Sequence, residues 1–326
     1  MDFHISQFLS PGRKEFVKGT LLLTGAGLFC RVLGFFYRIY MSRTIGAEGL
    51  GLYNMIHPLF SIAFAVCAGS IQTALSQYIA ASQEKGPAGF KCGLFLSLSL
   101  SVIPLLLLWK GKMFLAGNIL SEPQAARYLP VLAVSVPFAC LHACINGYYY
   151  GLKKTAVPSL CQLTEQLARV GSVYLMYQIA ISEGRSLTLS MVVWGIVCGE
   201  MASTLVSVSV FRISGTNQHT AGKNRKYLYT CTRNLLSMAV PLTSNRIVLN
   251  LFAGFENVML PNRLLAFGYT QSEALSVYGI LTGMAMSVIM FPSVLTNSVS
   301  VLLLPTISEA QAAGKRDKIL YTIKKT

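Results

Sequence analysis

Residues 17–41 read VKGTLLLTGAGLFCRVLGFFYRIYM, a long apolar run that carries two arginines, Arg31 and Arg38, seven positions apart. A membrane-spanning helix needs about 20 mostly apolar residues, and in lipid only a helix or a closed barrel satisfies its own backbone. This run fits a helix. On one, a seven-residue step returns to within about 20° of the same face and rises about 10 Å. The stripe through the arginines continues as Thr20, Thr24, Gly27, Arg31, Gly34 and Arg38, while the rest of the helix is mostly Leu, Phe, Val and Ile. A face of small and cationic residues opposite an apolar face predicts lipid on one side and a polar cavity on the other.

The remainder of the chain repeats the pattern of long apolar runs. Of its 326 residues 53% are hydrophobic and 12% charged, where soluble domains carry about a quarter charged residues. Mean hydropathy is +0.54 over the whole length, so the apolarity is not one anchor on a soluble head. Spans are expected near 17–41, 53–79, 92–109, 129–150, 156–180, 187–211, 235–260 and 276–304. The fold class is therefore all-α, a polytopic membrane protein of about eight transmembrane helices. The basic start followed by an apolar run resembles a secretory signal, but the run continues through Arg31 without a small-residue cleavage site, so it reads as the first span.

The net charge of +15, from 27 Lys and Arg against 12 Asp and Glu, would suggest nucleic acid in a soluble protein. Here the cations sit in short polar gaps between spans, such as Lys153 and Lys154, Lys223 to Lys226, and Lys315 to Lys318, with no basic patch interleaved with aromatics. Nucleic acid is not an expected partner. Placing the N-terminus in the cytoplasm puts most Lys and Arg on the inner side, leaving Arg43, Lys110, Lys112, Arg127, Arg185 and Arg263 outside. That bias sets the expected orientation in the cytoplasmic membrane.

Residues 212–234 form the longest polar connection, after six spans. The expected organisation is a cytoplasmic tail (1–16), a first six-helix lobe (17–211), an interlobe loop (212–234) and the first two helices of a truncated second lobe (235–326). A weak parallel repeat supports the division: Arg31-Val32-Leu33 against Arg246-Ile247-Val248, and IAASQEKG (79–86) against ISEAQAAG (307–314), the kind of internal symmetry transporters show.

An ionisable group in mid-membrane costs about 2.5–3.5 kcal/mol on insertion scales, so each needs a partner or a wet cavity. Arg31, Arg38, Glu165, Arg169, Glu200, Arg246 and Glu256 stand out. Arginine suits phosphate because its guanidinium makes bidentate, charge-assisted bonds, which makes Arg31 and Arg38 candidates for an anionic head. The alternatives are snorkelling for Arg38 and a structural pair with Glu165, Glu200 or Glu256 for Arg31. Glu165 and Arg169, four apart with the acid first, are spaced for an intrahelical pair. Glu200 and Glu256 lack partners on their own helices and are candidates for proton or sodium coupling, or for packing against Arg246 or another buried cation.

The eight cysteines show no CxxC pair and read as small hydrophobes. Cys140, His142 and Cys144 do not share one helical face, so no metal site is expected there. Eight of the twelve prolines fall in or at the ends of spans, where each permits a bend. No Walker motif, nucleophile elbow, zinc signature or Gly-rich phosphate loop appears, and no cofactor is expected.

Three stretches carry a family resemblance: KGTLLLTGAGLFCRVLGFFYRIYMSRTIGAEGLGLYN (18–54), INGYYYGLKKTAVPSLCQLTEQLARV (145–170) and YGILTGMAMSVIMFPSVLTNSVSVLLLPTISEA (278–310). Together they resemble the stage V sporulation protein B group of polysaccharide-biosynthesis flippases, in the multidrug/oligosaccharidyl-lipid/polysaccharide exporter superfamily, with lipid II flippases as relatives. The resemblance implies two six-helix lobes facing a central cavity and alternating access that moves undecaprenyl-pyrophosphate-linked saccharides or peptidoglycan precursors, for cell-wall or spore-cortex assembly. It implies a functional arginine at Arg31, in RVLG; the next arginine of lipid II flippases falls one position before Arg38. His57 in the second span, where those flippases have basic residues nearer the helix middle, favours a sporulation-type or oligosaccharide-type flippase.

Three other readings compete. A cation-coupled drug exporter of the same superfamily should line its cavity with acids. A membrane enzyme should pair catalytic groups in an outer loop, where the acids are Glu48, Glu122, Glu183 and Glu273. A non-transporting scaffold is the third.

Overall fold

The computed structural model describes residues 11–81, 86–184, 188–214, 225–290 and 292. Among them there is no strand, and the long elements are α1 (Pro11–Thr44), α2 (Gly46–Ala81), α3 (Gly86–Lys110), α4 (Leu129–Gly151), α5 (Ala156–Ser182), α6 (Leu189–Ile213), α7 (Arg225–Ala266) and α8 (Gln271–Ile289). Seven contain a segment long and apolar enough to cross a membrane; α5 is long enough but carries Gln162, Glu165, Gln166 and Arg169, which lower its apolarity. The chain is a multi-pass, all-α membrane protein. The end of the last expected span beyond 290, apart from residue 292, residues 215–224 of the expected interlobe loop and the second half of the proposed repeat at 307–314 lie outside the described residues.

Helices run past the boundaries that hydropathy sets, because in a membrane the backbone continues to bond internally after the side chains turn polar. Thus α2 takes in Glu48 and starts at Gly46 instead of 53, and α7 starts at Arg225 instead of 235. Proline is accommodated inside helices at 58, 104, 137, 241 and 261. Two π turns, Ala65–Gly69 in α2 and Ile280–Ala285 in α8, interrupt otherwise regular helices; such bulges collect at functional sites. Ser97 on α3 donates to the Cys67 carbonyl in the first of them, satisfying a group the altered ladder leaves available.

Helix α4 is the central element, packed on α3, α6 and the second half of α2. Its buried face is largely small: Ala133, Ser135, Ala139, Cys140, Ala143, Cys144 and Gly147. Small residues allow close approach, which drives helix association where lipid removes the hydrophobic effect. One core joins Leu50, Met55, Leu129, Leu132, Val192 and Tyr278. A second joins Ile71, Leu75, Ile79, Phe90, Tyr148 and Leu235, capped by Phe211, whose ring lies 4.7 Å from that of Phe90. Large apolar side chains face outward, as in Phe95, Leu205 and Phe252, at 72%, 67% and 71% exposure. All cysteines are unpaired and all but Cys198 are buried, in keeping with a role as small hydrophobes.

Candidate functional site

The striped face of α1 borders a cavity of about 600 Å³. Helix α1 contributes Arg31, Gly34, Tyr37 and Arg38, α2 contributes Tyr53, Asn54 and His57, α5 contributes Gln166 and Arg169, α7 contributes Asn257, and α8 contributes Tyr278, Thr282 and Ser287. Three arginines line it and no carboxylate does. Gly34 leaves room for the Gln166 amide across the wall. Arg38 Nη1 donates to Ser287 Oγ on α8 at 3.2 Å. Arg31 is exposed to the cavity and makes no ion pair with Glu165, Glu200 or Glu256 among the described residues.

Those acids are engaged elsewhere or stand apart. Glu165 Oε1 receives Arg169 Nη2 at 2.5 Å, the intrahelical pair that the i to i+4 spacing predicts. Glu200 is 3% exposed and its Oε2 lies 2.6 Å from His142 Nε2, while Oε1 lies 3.7 Å from Arg169 Nη2. The ligand atoms of His142, Glu165 and Glu200 are within 4.8 Å of one another. Sequence reasoning missed His142 because it considered only the residue's own helix: Cys140 bonds toward the Cys67 carbonyl and Cys144 toward Gly93, and His142 turns to α6. The guanidinium of Arg169 stands beside both carboxylates, 2.5 Å from Glu165 and 3.7 Å from Glu200.

Arg246 does not pair with Glu200. It donates to Thr73 Oγ1 at 3.2 Å and packs against Gly69, at the end of the α2 π turn. Glu256 is exposed and lines no part of the cavity. Asn54 and Asn257 were invisible as site residues from sequence; Asn54 Nδ2 donates to Thr282 Oγ1 at 3.0 Å, and Asn257 Nδ2 donates to the Asn54 carbonyl at 3.2 Å.

Near their starts, α2 and α8 pack directly on one another. A Cβ on Gly279 would run into the Ala47 carbonyl oxygen, and one on Gly51 into the Leu275 carbonyl oxygen, so the backbones touch directly. Ser272 Oγ donates to Glu48 at 2.7 Å, and Gln271 Nε2 donates to the buried Glu122 at 2.6 Å. Glu273 caps its own helix through Thr270. Glu48, Glu122 and Glu273 thus each make a helix contact or a cap.

Residues 16–311 match the model of the polysaccharide biosynthesis protein family. The chain is 30% identical to Stage V sporulation protein B of Bacillus subtilis (strain 168) across 95% of its own length and 61% of that protein. It is 24% identical to Sporulation protein YkvU of the same organism, covering 96% of the chain and 69% of that protein. It is 18% identical to the Bacillus subtilis Lipid II flippase MurJ, covering 96% and 61%. The chain therefore spans about three fifths of the length of Stage V sporulation protein B and of the lipid II flippase. With the match running through nearly every helix that builds the cavity, the chain belongs to the polysaccharide biosynthesis protein family.

Proposed function

We propose that this chain supplies the first six-helix lobe and the opening helices of the second in a flippase of the cytoplasmic membrane. The substrate class is an undecaprenyl-pyrophosphate-linked saccharide or peptidoglycan precursor, moved for cell-wall or spore-cortex assembly. The observation that carries this reading is the cavity wall with Arg31, Arg38 and Arg169 and no carboxylate. Guanidinium groups hold pyrophosphate oxygens bidentately and stay charged when partly desolvated. The amides of Asn54, Gln166 and Asn257 around them suit the hydroxyls of a sugar. A cavity of about 600 Å³ accepts a head group, while the isoprenoid tail stays in lipid.

With the N-terminus in the cytoplasm, the turn after Thr44 is on the outer side, so the contact of Gly51 with α8 closes the outer end. The cavity then faces inward, where such precursors are made. Separation of α2 from α8 would open it outward, and an ion gradient or the membrane potential would supply the energy. A cation-coupled drug exporter would place acids on this wall, and here they are withdrawn behind it.

Native mass spectrometry of the purified protein tests the reading, with an undecaprenyl-pyrophosphate lipid competing against an organic cation. Retention of the lipid, lost in Arg31→Ala, is expected. Preference for the organic cation, or lipid retention indifferent to Arg31, overturns it.

A further inference from the structure

Behind the cavity wall, the buried His142 on α4 and Glu200 on α6 connect to the half-buried Arg169 and Glu165 of α5, with Arg169 reaching the wall itself. We propose that these four residues form a site for a single exchangeable proton, loaded at His142 Nδ1, whose occupancy sets how far the Arg169 guanidinium is drawn away from the cavity. Charge counting leads there first. Two carboxylates face one permanent cation, so with a neutral imidazole the group carries one uncompensated negative charge, and with an imidazolium it is neutral. An uncompensated charge away from water is strongly disfavoured, and His142 and Glu200 are 6% and 3% exposed.

Geometry identifies the atom. His142 Nε2 is committed to Glu200 at 2.6 Å, whereas Nδ1 is buried and has no hydrogen-bond partner among the described residues. In the unloaded state Nε2–H donates to Glu200 and Nδ1 keeps its lone pair. Loading adds a proton from water to that lone pair, and unloading returns it to water; no other bond changes.

Glu200 connects this event to the cavity because its two oxygens face different partners. When His142 is charged, Glu200 is compensated and Arg169 is left with Glu165, its guanidinium at the cavity wall. When the proton leaves, Glu200 is uncompensated and attracts Arg169 from its present 3.7 Å into direct contact, away from the wall. An anion in the cavity pulls the other way. By reciprocity, anion binding and proton loading favour each other.

Other titratable groups acting on the cluster are Cys30 and Tyr37 from α1, Tyr53 and His57 from α2, Cys140 from α4 and Cys161 from α5. None is a carboxylate or a lysine. His57 is a second imidazole, on the cavity wall itself, and the experiment must separate it.

The coupling to an anion rests on the flippase reading; the proton site does not. The protein contains four histidines, so 15N-histidine NMR of the purified chain, with assignments from His57→Gln and His142→Gln, follows each ring over about pH 5 to 9. His142 is expected to pass reversibly between a bare and a protonated Nδ1, and in Glu200→Gln it should stay neutral over the range where the native ring is loaded. A His142 ring invariant with pH, or one that responds to sodium at constant pH and not to protons, overturns the site.

Calorimetry with undecaprenyl pyrophosphate in two buffers of different ionisation enthalpy then reads the coupling. Binding on the order of tenfold tighter with the proton loaded, with proton uptake abolished in His142→Gln but retained in His57→Gln, is the expected result. Equal uptake in His142→Gln overturns the coupling. Absence of any lipid binding overturns the flippase reading and the coupling together, and leaves the NMR result to decide the proton site.

Discussion

Replacing Gly279 by alanine should destabilise the protein, although alanine is the better helix former. The added Cβ would collide with the Ala47 carbonyl oxygen, and Gly51 N lies 2.8 Å from the same position. The obstacle is backbone on both counts, so no rotamer change relieves it. Helices α2 and α8 must separate by on the order of 1 Å, and overpacking of this kind costs about 1–3 kcal/mol. Gly25, on α1, has nothing within 4 Å of an added Cβ. There the same substitution gains helix propensity, up to about 1 kcal/mol. The two glycines should therefore respond with opposite sign in thermal unfolding of the detergent-solubilised protein, with Gly279→Ala lowering Tm by a few degrees and Gly25→Ala leaving it level or higher. Gly51→Ala makes the reciprocal collision at the same crossing, so once the helices have parted a second alanine costs less. The double variant should fall short of additivity by about 0.5–3 kcal/mol. Equal responses at Gly25 and Gly279, or strict additivity of Gly51 and Gly279, would refute the direct backbone contact.

If the arginines hold a pyrophosphate, Arg31→Ala and Arg38→Ala should each weaken lipid retention by roughly tenfold to a hundredfold, the loss of a charge-assisted bond of about 1.5–3 kcal/mol. Lysine at either position should restore only part of it, as a salt-dependent binding series will show. Breaking the buried His142–Glu200 pair by His142→Ala should cost about 3–5 kcal/mol, since it strands a carboxylate, and Arg169→Ala, whose pair with Glu165 is only half-buried, should cost less; chemical unfolding that finds both changes neutral would contradict the assigned contacts. Gly69→Ala should displace both the Arg246 guanidinium and the Phe64 ring, and combining it with Arg246→Met should relieve only the part of the loss in Tm that the guanidinium causes. Glu122→Ala should leave the Gln271 amide only its 3.4 Å bond to the Ser121 carbonyl at the α8 start and lower stability by about 1–3 kcal/mol, with Gln271→Ala giving little further change.

Lipid makes helices legible because it demands long apolar runs: the expected spans from 17 to 260 each fall on a described helix and the last does so as far as Ile289, with ends that extend outward through polar residues such as Glu48 and Arg263. The α1 stripe was legible for the same reason: a seven-residue spacing within one helix needs no knowledge of its neighbours. So was the pair of Glu165 and Arg169. What stayed hidden depends on which helices meet. His142 and Glu200 are 58 positions apart, and Asn54 and Thr282 are 228 apart; no periodicity relates them. The expected alternatives for Glu200 included Arg246, a cation of suitable type, yet α7 packs along α2 and places Arg246 at Thr73 instead. Partner choice followed helix order, which composition does not encode.

The contrast among the arginines is the strongest argument that the cavity is built for an anion. Arg169 is compensated by two acids behind the wall, and Arg246 is held by a hydroxyl and a glycine seat. Arg31 and Arg38 have no carboxylate within ion-pair distance among the described residues, although membrane insertion charges about 2.5–3.5 kcal/mol against each cation. A purely structural arginine would pair with one of the nearby acids, and the chain has Glu165 and Glu200 in adjoining helices. Instead those acids turn toward His142 and Arg169, leaving the first helix to present two cations to open space. Under the proposed reading, charge arranged in this way, positive at the surface of the cavity with its compensation one layer deeper, would favour an entering anion wherever the Coulomb attraction exceeds the cost of desolvating it.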